Sequence, residues 1–155
     1  MSGVVAIGAS RLRSKRTDRA NDSDVRFAGY AAIFDRVDRG GDVVRPGAFG
    51  AINAGGVPLL WQHGPGSVIG VVEKAREDAR GLRVIGRVSQ RTAAGREAAA
   101  ALKAEALDGL SFGYRVREAR GARPRELLGL ELVEVSLVTH PMQDLARVVA
   151  VEVEG

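Results

Sequence analysis

One stretch of this chain repeats with a helical period, and the rest either alternates or is broken by glycine and proline. From Thr92 to Leu107, Ala94, Ala98, Leu102 and Ala106 recur every four residues, with charges at Arg96, Glu97, Lys103 and Glu105. That pattern predicts an amphipathic helix with Thr92 as N-cap and Asp108-Gly109 as its stop. A lone helix must bury its apolar stripe against something else, and here only strands are on offer. Alternating or short apolar runs occupy Val25 to Phe34, Val57 to His63, Val68 to Glu73, Leu82 to Val88, Leu110 to Val116, Leu127 to Thr139 and Ala146 to Val153. Lys74 to Arg80 reads as a long hairpin loop, Arg115 to Arg125 as a charged connection, and Phe49 to Asn53 as a short helical piece. The expected fold is mainly β with helices, in the α+β class: an antiparallel core with one dominant helix at about 92–107.

At 155 residues the chain is long enough to bury one core without staples. Residues 1–24 start mildly apolar at Val4 to Ile7 and then turn charged, which predicts an edge strand or a flexible basic arm; residues 25–155 form a single domain. The absence of cysteine removes thiol nucleophiles, disulfides and thiolate metal sites, and two histidines are too few for a histidine-rich metal site. No cofactor is expected. Of the 23 basic residues 20 are arginine, but the net charge is only +4 and the arginines are scattered without interleaved aromatics, so nucleic acid is not the expected partner. No run approaches the roughly 20 apolar residues of a membrane span, and the expectation is a soluble protein made in the cytoplasm.

Chemistry concentrates on Gly109-Leu110-Ser111-Phe112-Gly113, where helix gives way to strand. The pentapeptide fits the G-x-S-x-G form of the hydrolase elbow, but that elbow runs from strand to helix, the reverse of the order here. On an extended strand Ser111, Gly113 and Arg115 share one face, and glycine at 113 is expected to leave open space beside the serine. A buried serine bonded to backbone is the structural alternative. His63 closes an apolar run just before Gly64-Pro65-Gly66, at the rim of a core, where an imidazole can be oriented and reached as a general base. A third group should orient that ring. Glu134 and His140 are the candidates; six residues of strand separate them by about 20 Å, so only one can touch His63. Glu134 is preferred, since a carboxylate within Val133 to Val138 is costly unless paired, and Ser136 on the same face could support it. His140 reads as a loop histidine before Pro141.

Phe27 to Ala31, Asp42 to Phe49, Leu59 to His63, Ile69-Gly70, the alanine-rich helix leading into Gly109 to Tyr114, and Leu132 to Val138 followed by Pro141 together resemble the prohead proteases of tailed bacteriophages. That family of capsid-maturation serine peptidases is similar to herpesvirus assemblin. The resemblance implies a β-barrel-like core of herpesvirus-protease type, with residues 25–155 as the protease domain, Ser111 as nucleophile and His63 as base. Assemblin-type enzymes use a second histidine as third member, whereas the phage branch carries an acidic residue in the segment matching Glu134. The implied reaction is endopeptidase cleavage through an acyl-enzyme. Its implied substrates are the scaffolding segment of the major capsid protein or a separate scaffold, with the protease's own ends as further candidates. The implied partners are those capsid proteins, with self-association a further candidate, and the implied location is the assembling prohead in the host cytoplasm. Two rivals remain at this point, a catalytically silent capsid-assembly module of the same fold and a serine esterase.

Overall fold

The computed structural model describes residues 3–6 and 23–153. Its strands are β1 (Gly3–Ala6), β2 (Val25–Ile33), β3 (Asp42–Val44), β4 (Pro58–Trp61), β5 (Val68–Glu77), β6 (Gly81–Val88), β7 (Gly109–Arg120), β8 (Arg125–Val138) and β9 (Val148–Val153), and its helix is α1 (Ala93–Lys103). The strand order is β1-β9-β2-β6-β5-β4-β8-β3, with β7 also on β8. Most neighbours are antiparallel, but β8 takes β3 and β4 as parallel partners on one edge and β7 antiparallel along the other. The sheet curls without closing into a continuous ladder. Leu110 N donates to Ala146 O (2.9 Å) and Val148 N to Asp108 O (2.8 Å), tying the start of β7 to the segment entering β9. A Cβ on Gly29 would lie 2.5 Å from Arg147 O and 2.8 Å from Leu110 Cδ1, so glycine is what allows β2 to reach that seam.

Strand alternation fills the interior with Phe27, Leu59, Ile69, Leu82, Leu110 and Leu137, all at most 2 % exposed. Helix α1 lies against β4, β5 and β6 and buries Gly95, Ala98, Ala99 and Leu102. Its buried stripe is mostly small residues, so the helix sits close to the sheet, and full burial of Leu102 contributes about 1.5–3 kcal/mol. Thr92 caps it as expected, accepting from Gly95 N at 3.0 Å. The stop comes earlier than Asp108-Gly109. Glu105 adopts φ +59°, Glu105 N donates to Leu102 O and Ala106 N to Ala101 O, a Schellman ending with glutamate at the position glycine usually holds.

Three other expectations are corrected. Strand β5 runs on through Lys74 to Glu77, leaving only Asp78, Ala79 and Arg80 as the loop; Asp78 Oδ1 accepts from Arg80 N and Gly81 N and closes that tight turn. Arg115 to Arg120 and Arg125 are strand, forming an exposed ribbon with cross-strand ion pairs such as Arg117–Glu131 (2.7 Å). Pro46 to Phe49 form a turn, residues 50–53 are irregular, and the helical piece that follows is a 3-10 turn at Ala54–Gly56. At the N-terminus β1 is an edge strand on β9, while residues 7–22, which hold most of the expected arm, lie outside the described residues. No described helix is long and apolar enough to cross a membrane.

Candidate active site

Strands β7 and β8 set the floor of the site through their register. Ser111 pairs with Ser136 and Gly113 with Glu134. Residues directly opposite in an antiparallel pair point to the same face with Cβ atoms about 4.5–5.5 Å apart, so these four positions form one tile. Gly113 does not leave open space, as the sequence suggested. A Cβ there would lie 2.4 Å from Glu134 Oε2 and 3.0 Å from its Cδ: the carboxylate itself lies over the glycine. Between Gly113 and Tyr114 the register shifts by one residue on β8, at Val133, so that Arg115 lies opposite Glu131, 3.5 Å away.

His63 arrives from β4, which runs parallel to β8 with Leu60 beside Ser136 and Trp61 beside Leu137. The chain then reverses. Gln62 and His63 have φ of +53° and +61°, two consecutive left-handed residues that are not glycine, each costing about 1–3 kcal/mol unless the surroundings hold them. The reversal swings the imidazole back along β8 over the tile. His63 Nδ1 lies 3.1 Å from Glu134 Oε2 and 3.4 Å from Ser136 Oγ, and Ser136 donates its own proton to Glu134 Oε1 at 2.6 Å. Both groups facing Nδ1 are therefore acceptors, which places the proton of the neutral ring on Nδ1 and leaves the lone pair on Nε2. The ring is 49 % exposed and Glu134 only 14 %, so the carboxylate is sheltered while the imidazole stays reachable.

The two serines of the tile differ. Ser136 is fully buried and its hydrogen is committed to Glu134. Ser111 is 5 % exposed, its hydroxyl makes no hydrogen bond among the described residues, and no described side-chain nitrogen or oxygen shut off from solvent lacks a partner. The Ser111 Oγ is thus unbonded and in contact with solvent, unlike a buried serine bonded to backbone. His140 lies past the end of β8, exposed and without a side-chain hydrogen bond among the described residues. The structure thus brings Glu134, Ser136 and His63 together, sets Ser111 across from Ser136, and leaves His140 outside.

The chain matches the caudovirus prohead serine protease family over residues 11–154. It belongs to that family. Among its relatives, the prohead protease of Enterobacteria phage HK97 is 26 % identical over 136 residues, covering 81 % of this chain and 60 % of that one. The capsid polyprotein of Pseudomonas phage PAJU2 is 30 % identical over 152 residues, 92 % of this chain and 22 % of that one. The chain therefore spans only part of the length of these relatives. Two solved structures share the fold. One is the varicella-zoster virus protease, with TM-score 0.54 and 17 % identity over 82 % of this chain and 64 % of that one. The other is the KSHV protease in complex with a hexapeptide phosphonate inhibitor, with TM-score 0.60 and 13 % identity over 83 % of this chain and 65 % of that one. The herpesvirus-protease fold expected from the sequence is thus the observed one, barrel-like in a loose sense because the sheet is open. Family membership and a serine on an antiparallel strand leave no place for the hydrolase elbow or the esterase reading.

Sequence reasoning missed Gln62. Its amide donates to Thr139 Oγ1 at 2.7 Å and accepts from Thr139 N at 2.9 Å, directly before His63 in the chain. The one available signal was an amide immediately before a histidine in a segment closed by Gly-Pro-Gly.

Proposed function

We propose that this chain is a serine endopeptidase of phage head maturation, with Ser111 as nucleophile, His63 as general base and Glu134 as the group that orients His63. The observation carrying this reading is the His63 Nδ1–Glu134 contact at 3.1 Å above a strand whose Ser111 hydroxyl is unbonded. With Nδ1–H held by the carboxylate, Nε2 accepts the Ser111 proton as Oγ attacks the scissile carbonyl. The resulting imidazolium is stabilised by Glu134 and returns the proton to the leaving amine. The acyl-enzyme is released by water, with His63 acting as base again. Backbone N–H groups near the developing oxyanion would supply the remaining stabilisation.

The substrates that fit the family are the scaffolding segment of the major capsid protein or a separate scaffold, cleaved within the assembling prohead. Support comes from one relative being named a prohead protease and another a capsid polyprotein. The test is co-expression with the capsid protein of the same phage, comparing native protein with Ser111→Ala, together with labelling by a fluorophosphonate probe. Cleavage and labelling by the native protein alone are expected. Equal cleavage by both would remove Ser111 from the mechanism, and no cleavage by either with no labelling would favour a silent assembly module.

A further inference from the structure

We infer that Gln62 is a positioning residue for the base, its side-chain amide standing in for a backbone group so that the chain can reverse and deliver His63. The inference rests on the triad reading above. In a parallel ladder a residue donates its N–H to one carbonyl of the neighbouring strand and accepts, at its own carbonyl, the N–H two residues further on. Gln62 begins in that way, its N–H donating to Leu137 O at 2.9 Å. The next ladder bond, from Thr139 N, should end on the Gln62 backbone carbonyl. It ends instead on Gln62 Oε1, at 2.9 Å.

The side chain thus completes the pairing of β8 that the backbone abandons. Released from the ladder, the backbone takes φ +53° at Gln62 and +61° at His63 and turns the imidazole back toward Glu134. The second amide bond, Nε2 to Thr139 Oγ1 at 2.7 Å, fixes which way the amide faces. Neither residue has a glycine-like freedom for left-handed backbone; Gly64 N donates to Trp61 O at 2.9 Å and closes the reversal as a β-turn, and the clamp ties the first of its two central residues to β8. Asparagine is one methylene too short to span the same gap. Methionine would match the length but leave Thr139 N without its acceptor.

The experiment measures the rate constant and the dissociation constant for inactivation by a fluorophosphonate probe separately, across pH, on the full chain. Gln62→Ala is expected to lower the inactivation rate constant about 10- to 100-fold, the size of effect that a small misplacement of a reacting group produces, with the probe's dissociation constant within about twofold. Thr139→Val, which keeps shape and N–H but removes the acceptor, should give a smaller loss, and Thr139→Ser should restore the native rate. The double variant Gln62→Ala/Thr139→Val should be no slower than Gln62→Ala alone, since both act through one clamp. The pH profile of inactivation should shift in Gln62→Ala and not in Thr139→Ser, a change that loss of stability alone would not produce.

Labelling of Gln62→Ala at the native rate, with Ser111→Ala unlabelled, overturns the clamp and leaves the triad standing. Labelling of Ser111→Ala at the native rate overturns the triad reading itself. Should Gln62→Ala lack a cooperative unfolding transition, Thr139→Val decides: a native rate and profile there overturns the proposal.

Discussion

The two halves of the β7–β8 hairpin share one ladder and treat charge in opposite ways. The inner half sets Ser111 and Gly113 against Ser136 and Glu134, and its one carboxylate is sheltered, bonded at both oxygens and seated over a glycine. The outer half, beyond the bulge at Gly113/Tyr114, carries Arg115, Arg117 and Arg120 opposite Glu131 and Glu126. There the arginines are 65–70 % exposed, and such pairs contribute little beyond solubility and protection of a free strand edge. A charge on a strand fixes geometry only where neighbours are small and water is excluded. The same charge on the ribbon mainly keeps the edge wet.

The sharpest way to break this contrast is to neutralise the inner carboxylate. Glu134→Gln should lower fluorophosphonate labelling by about 10³-fold or more, since the ring loses both its orienting partner and the charge that stabilises imidazolium. His140→Ala should stay within about twofold, and the reverse pair of results would hand the third position to His140. Next in size is Gly113→Ala. Its new Cβ would displace the Glu134 carboxylate, and a fall of about 10- to 100-fold in labelling is expected with the fold intact. A native rate would show that the carboxylate can move at no cost and that glycine at 113 serves only backbone purposes.

The smallest effect belongs to the anchor of the outer half, read as stability. Arg125 grips Asp42 with two bonds of 2.9 Å, and Tyr114 adds a longer one. These bonds, Arg125's first, hold the Asp42 carboxyl below its ordinary value of 3.8. A carboxyl lowered on folding contributes stability that is full above the ordinary value and is lost as pH falls through the lowered one. Asp42→Asn should therefore cost about 1–2 kcal/mol in urea unfolding at neutral pH, and the difference should shrink in acid. Labelling should change by no more than about twofold. A difference that persists undiminished in acid would show that shape rather than charge makes the anchor.

Much of this was legible because strand parity is a strong constraint. Ser111 and Gly113, two apart, and Glu134 and Ser136, two apart, had to share faces, and the apolar run around Glu134 demanded a partner for it. Thr92 announced the start of α1 through its hydroxyl. Other features carried no such mark. The exposed ribbon lacks apolar alternation, because both faces of Arg115 to Arg120 meet water, and so it read as a connection. Lys74 to Glu77 misled for a similar reason. The bulge after Gly113 and the parallel pairing of β8 with β3 and β4 depend on partners distant in the chain, which local pattern cannot report. The reversal at Gln62 and His63 is bonded to Thr139, 77 positions further on. Glu105 closes a helix where glycine was the expected signal.

Strand β8 has one more consequence, for the order in which the molecule comes into being. His63 and Glu134 are 71 positions apart and meet only once β4 has docked beside β8, and Ser111 joins them only once β7 has paired on the other edge. Contacts of such long separation are among the last and slowest that a chain forms. On the triad proposed above, a nascent or half-assembled copy has its serine, histidine and glutamate still apart, and hydrolytic power would switch on with the final closure of the sheet rather than grow along the way.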